Sequence, residues 1–247
     1  MSSAIRLRVN GSRLIDSASG NVTRLTGFNW QLVHLQDGDG AQMRQLLPGT
    51  NVVRLIGILW DGGEGKADCK QELAPFITEK CLLRLDWALA EVTNAGLWAI
   101  LACRGKFAAG QIPSEGDVFT NATLRHQMFT MWQTVARRYR SWDRVAAYEI
   151  MSEPRDKLVS ESTVHDFYSA GCAAVHAVDA ATPCMVGPTR YYKLWEFSSA
   201  VLIRNPNVIC NHATAQTQAS NCALCAMLAA AALIESSDWM LGVGRHL

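Results

Sequence analysis

Several features that would mark a functional class are missing. There is no long basic run, and 23 lysines and arginines stand against 22 aspartates and glutamates, for a net charge of +1. Nothing here would track a phosphate backbone, so no nucleic acid partner is expected. The densest basic cluster, Arg137-Arg138-Tyr139-Arg140, reads as the last turn of a helix, where cations suit the dipole. The eight cysteines show no paired zinc-ligand spacing, and Cys222 and Cys225 form a lone C-x-x-C, so no metal is expected. Most of the cysteines read as buried thiols or strand residues. Residues 1–6 contain no apolar stretch of the signal-peptide kind. The apolar run over 222–234 is too short to span a bilayer, so no membrane partner is expected. Glycosylation triplets begin at Asn10, Asn21 and Asn121, and they carry meaning only in a secreted chain. No residue pattern assigns an oligomeric state.

What is present is a regular alternation of strands and helices. At 247 residues one α/β barrel is within range. Residues 5–26 read as a hairpin: Ile5, Leu7 and Val9 alternate with polar residues, Asn10-Gly11 turns, and Leu14-Ile15 return. After a turn at Ser19-Gly20-Asn21, a strand is expected over 23–30. A short helix follows over 40–47, closed by Pro48-Gly49. Residues 51–60 make the strongest strand, a near-continuous apolar run of the kind that is covered on both faces. Its one charge, Arg54, demands an anionic partner. Two partners are in view: Glu153 on an analogous strand, with a functional purpose, or an interior carboxylate that only ties the barrel together. Helices are expected over 79–95, 121–140 and 161–179, and strands over 97–103, 145–153, 184–188 and 207–210. The methionine and aromatic stripe of 121–140 reads as core.

This order predicts an α/β fold of the (β/α)8 TIM-barrel type, incomplete at about six parallel strands, with an N-terminal β-hairpin. The expected division is a barrel portion over 1–210 and an atypical alanine-rich tail over 211–247. Small polar residues follow Cys210, alanine dominates 222–234, and no Val/Ile-rich strand comes after.

One stretch organises the rest, Tyr148-Glu149-Ile150-Met151-Ser152-Glu153-Pro154. Proline cannot donate to a sheet ladder, so the strand should stop at Glu153. Alternation would put residues 149, 151 and 153 on one face. In α/β barrels a carboxylate at the C-terminal tip of a strand sits where chemistry is done. The plainer alternative is a solvated loop residue.

Together with Leu25-Thr26-Gly27-Phe28-Asn29-Trp30 and the stretch from Leu47-Pro48-Gly49 to Arg54-Leu55, this motif resembles glycoside hydrolase family 5, the cellulase-like barrels, over roughly residues 5–210. The resemblance implies cleavage of β-linked glycans in an oligosaccharide or polysaccharide, by a retaining mechanism with two glutamates and no cofactor. It puts Glu153 at the general acid/base and Arg54 at the strand-2 arginine that holds the nucleophile ionised. Asn29, Trp30, Trp60, Arg104, Ser152 and His212 are the expected sugar contacts. Trp30 and Trp60, at strand tips, serve equally well as stacking platforms or as packing. The resemblance also suggests an extracellular protein, which the start of this sequence does not.

Four departures stand out. Ser152 replaces the family's usual asparagine before the acid/base. Cys103-Arg104-Gly105 occupies the strand-3 tip, where a histidine is common. His212 is one step off its motif. No stretch matches the Glu-Phe-Gly-like nucleophile motif. Glu149 cannot take that role, since four residues of strand set it ~13 Å from Glu153, whereas a retaining pair needs ~5 Å and an inverting pair ~6.5–9.5 Å. It is expected to be a salt-bridged residue of the barrel interior. Asp61, Glu64, Glu196 and Glu235 carry no signal that selects them. A truncated or altered C-terminus in place of two strand units is the expectation for the tail. Three readings follow: a glycosidase; a carbohydrate-binding pseudoenzyme or partial barrel; and an unrelated α/β enzyme with Cys103 as a nucleophile activated by Arg104.

Overall fold

The structure is a computed structural model that describes residues 4–10, 13–31, 36–56, 77–104, 117–152, 159–187 and 208–210. Three short strands open the chain, β1 (Leu7–Asn10), β2 (Arg13–Asp16) and β3 (Val22–Thr23), and form an antiparallel sheet in that order. Six parallel strands follow, β4 (Gly27–Gln31), β5 (Val52–Ile56), β6 (Trp98–Arg104), β7 (Val145–Ser152), β8 (Cys184–Val186) and β9 (Val208–Cys210). Each lies beside the one before it, so sheet order is chain order. That is the winding of a barrel built from right-handed crossovers. The helices are α1 (Asp39–Leu46), α2 (Glu79–Asn94), α3 (Asp117–Thr120), α4 (Ala122–Tyr139) and α5 (Glu161–His176). The three long helices start on side-chain caps: Thr78 accepts from Cys81 N, Asn121 from Thr123 and Leu124 N, and Ser160 from Thr163 N.

The sheet has two buried faces. Toward the helices, Val53, Leu55, Leu101 and Ile150 pack with Leu85, Leu89, Trp132 and Phe167. On the concave face, Val52, Trp98, Ile100, Ala147 and Met185 pack with Leu7 and Leu14 of the hairpin. These strand residues lie at or near the amino ends of their strands, so the hairpin plugs that end of the barrel. It is tied there by polar contacts as well. Asp143 Oδ1 accepts from Ile5 N at 2.7 Å, and Arg6 donates to the carbonyls of Tyr139 and Trp142. With the amino end closed, the carboxyl ends of the strands are left for a site.

Two expectations need correction. The single strand expected over 23–30 is two: Val22–Thr23 joins the hairpin sheet, and Gly27–Gln31 joins the parallel sheet. Gly27 permits the crossing, because a Cβ there would overlap the Val52 carbonyl. Strict alternation fails along β7. Ala102 pairs with Glu149 but Arg104 pairs with Ser152, so β7 carries an extra residue near its tip. Met151 accordingly joins Ile150 in the helix-facing core, and does not share a face with Glu149. The sequence assigns no cysteine pair; Cys172 and Cys184 form a disulfide that joins α5 to β8, with Cα atoms 5.6 Å apart. The short helix α3 was not expected at all. The segment 211–247, expected to be a separate tail, lies outside the described residues. Among the described residues no helix is long and apolar enough to cross a membrane.

α2 and α4 are linked through Asp86. Arg138 donates to it from Nε at 2.9 Å and Nη2 at 2.5 Å, and the Tyr139 hydroxyl donates at 2.8 Å. Burial alone would raise the Asp86 pKa, but these donors outweigh it and hold the carboxyl below its ordinary range.

Two outcomes follow. Thiol counting on the unfolded, unreduced chain should find Cys172 and Cys184 unreactive, and Cys184→Ala should lower unfolding free energy by about 2–4 kcal/mol. Asp86 has a depressed folded pKa, so its contribution is complete above the unfolded value and is lost as pH falls through the folded one. The stability gap between wild type and Asp86→Asn, measured by denaturant unfolding, should therefore shrink from about pH 5 to about pH 2.

Candidate active site

The register brings three polar side chains together on the concave face, above the plugged end. Asn29 on β4 lies beside Arg54 on β5, Arg54 beside Ile100 on β6, and Ala102, two residues further along, beside Glu149 on β7. Arg54 reaches across β6 to Glu149: Nε donates to Oε2 at 2.5 Å and Nη2 to Oε1 at 2.6 Å. Its Nη1 donates to Asn29 Oδ1 at 3.1 Å. Two strand spacings separate β5 from β7, ~10 Å, and the long arginine and glutamate side chains together cover that gap. The short side chain of Ala102, at the intervening position, leaves the path clear. The Glu149 side chain is fully buried and that of Arg54 is 12% exposed. Burying either charge alone would cost several kcal/mol, and the bidentate geometry offsets that cost.

The tip of β7 is braced from the helix side. Trp132 Nε1 donates to the Ile150 carbonyl at 3.0 Å, and the Tyr168 hydroxyl to the Met151 carbonyl at 3.4 Å. These are the carbonyls where the ladder to β6 is irregular, and side chains from α4 and α5 satisfy them. Lower on β7, the Tyr148 hydroxyl donates to Asp179 Oδ2 at 2.9 Å. Burial and the neighbouring carboxylate push the Tyr148 pKa well above its ordinary value, so it stays a neutral donor.

Of the two partners in view for Arg54, the structure supplies the interior one, Glu149. Glu149 is the salt-bridged barrel-interior residue that the strand arithmetic required. Trp30 stands on the other face of β4. It is in register with Leu55, packs partly buried against the helix-facing core, and its ring lies 5.6 Å from that of Phe28. Of its two expected uses, packing is the one observed. Arg104 and Ser152 end β6 and β7 as backbone partners at the strand tips. Glu153, Trp60 and His212 lie outside the described residues. Cys103 is fully buried in the helix-facing core with Leu101, on the opposite face from Arg54. A nucleophile must be reached by its substrate, so the reading built on Cys103 is withdrawn. Among the described residues no group of three or more His, Cys, Asp or Glu side chains could hold a metal ion. The Asn29 contact to Arg54 was missed in the sequence. Its only signal was an asparagine at the same parity on the strand before.

A parallel barrel sheet with a plugged amino end and a buried polar cluster toward its carboxyl ends defines the class, an α/β barrel of the kind that carries its chemistry at the strand tips. The family described as Cellulase (glycosyl hydrolase family 5) matches residues 16–220, and the chain belongs to that family. Solved structures agree on the fold. An endogalactoceramidase superimposes with a TM-score of 0.67 at 16% identity, covering 88% of this chain and 62% of its own. The cellulase Cel5C_n gives 0.64 at 15% identity, covering 92% of this chain and 67% of its own. The Thermobifida fusca endoglucanase Cel5A gives 0.63 at 19% identity, covering 85% and 66%. The chain thus spans about two thirds of the length of these structures. No curated protein matches it. The expected fold is borne out: a TIM-barrel type with six parallel strands among the described residues and an N-terminal hairpin.

Removing one member of the Arg54–Glu149 pair leaves a buried charge without its counter-ion. Arg54→Met or Glu149→Leu should each lower unfolding free energy by about 3–5 kcal/mol, and the double variant should recover most of that loss. Urea unfolding of the three variants checks this, and additive losses would contradict it.

Proposed function

We propose that this chain is a glycoside hydrolase acting on β-linked glycans, with Glu153 as its general acid/base. The observation that carries the reading is the Arg54–Glu149–Asn29 cluster on the concave face of a family 5 barrel, with Glu149 four residues before Glu153 in the sequence. Glu153 gives its proton to the glycosidic oxygen as the bond to the anomeric carbon breaks. A carboxylate nucleophile, unassigned among the acidic residues, takes that carbon. Water then displaces it as Glu153 accepts a proton back. Asn29, Arg104, Ser152, Trp60 and His212 are the proposed sugar contacts, and Trp30 is left out because it faces the helices. The Cys172–Cys184 disulfide favours an oxidising compartment. No Glu-Phe-Gly-like stretch occurs in the sequence, which favours a second reading, glycan binding without hydrolysis.

Cellotetraose was captured in complex with the Thermobifida fusca enzyme, which makes aryl β-cellobiosides a sensible first substrate. The hydrolase reading expects turnover that falls about 10²- to 10⁴-fold in Glu153→Gln. Turnover only with added azide, yielding the inverted glycosyl azide, would mean that the acid and the sugar site work without a nucleophile. Cellotetraose binding with no turnover in either condition would favour the second reading, and neither binding nor turnover would sink both for this glycan class.

A further inference from the structure

We propose that Glu149 is a positioning residue that fixes the plane of the Arg54 guanidinium for the site at the strand tips. The kinetic consequence rests on the hydrolase reading, while the geometry stands without it. An arginine held at one point still swings about its terminal torsions. One held by two parallel bonds to a carboxylate does not, because the two bonds define a plane. Glu149 makes those two bonds, to Nε and Nη2. The opposite edge, Nη1, is thereby turned to Asn29 on the neighbouring strand, at 3.1 Å. The clamp has a firm base. Glu149 is fully buried, and its strand is pinned through the Ile150 and Met151 carbonyls by Trp132 and Tyr168. The carboxylate also balances the arginine charge. Arg54 therefore serves the cleft as an aimed hydrogen-bond donor, not as an uncompensated cation. Glu149 touches no substrate in this account and acts through Arg54. It lies four residues before Glu153 in the sequence.

The test compares the full chain with Arg54→Gln, Glu149→Gln and the double variant. In ¹⁵N NMR of the guanidinium groups, wild type should show a protected Arg54 Nε–H, assigned by its loss in Arg54→Gln. In Glu149→Gln its exchange with solvent should quicken by at least about tenfold. An unchanged signal overturns the proposal. Turnover of an aryl β-cellobioside should fall about 100-fold in Glu149→Gln, through kcat with little change in KM. Adding Glu149→Gln to Arg54→Gln should cost nothing further. Losses that multiply would mean that Glu149 acts independently of Arg54, and would overturn the proposal. If Glu149→Gln fails to fold, Glu149→Asp keeps the charge but shortens the reach, and it should fold and still lose about tenfold in kcat; full activity there overturns the proposal. A protected, Glu149-dependent signal in a chain without turnover would uphold the clamp and sink the hydrolase reading for this glycan class.

Discussion

The bidentate pair between Arg54 and Glu149 is the constraint on which the concave face depends. Two charges face the interior of strands that are otherwise apolar, and neither is tolerable there without the other. Their meeting requires β5 and β7 to keep one register across β6, and requires a small residue, Ala102, in the path. A one-residue slip of either strand would turn its charge into the helix-facing core. The pair thus specifies the sheet as well as the site.

The remainder of the fold isolates that pair at one end. The hairpin fills the amino end with Leu7 and Leu14, and Arg6 and Ile5 fasten it to the turn before β7. On the helix side, a continuous core presses α2, α4 and α5 against the sheet, and the disulfide fixes α5 to β8. From behind β7, Trp132 and Tyr168 hold two of its carbonyls, and toward its amino end Asp179 holds the Tyr148 hydroxyl. β7 itself ends at Ser152, one residue before Glu153 in the sequence.

Much of this was legible in the sequence. The apolar run around Arg54 and the Glu-Pro dipeptide after 145–152 mark two parallel strands and their shared direction, and helical periodicity marks α2, α4 and α5. Less legible was anything that depends on register. Alternation counts residues along one strand, and the extra residue in β7 is visible only against β6. Alternation alone therefore puts Met151 on the wrong face. The break between β3 and β4 depends on Gly27 lying against Val52, a contact between strands 25 positions apart in sequence. The Cys172–Cys184 bond escaped for the same reason, since spacing does not say which cysteines a helix and a strand bring together. Trp30 shows the converse: its parity on β4 was readable, but which parity faced the cleft was not.

The most direct test of the account is covalent labelling with an epoxyalkyl β-cellobioside, followed by peptide mass spectrometry. The reagent needs a sugar site and a carboxyl group beside it. The account predicts a single adduct on the peptide carrying Glu153, suppressed by excess cellotetraose and absent in Glu153→Gln. An adduct elsewhere that cellotetraose does not suppress, or none at all, would contradict a cellobioside-binding site at the tip of β7.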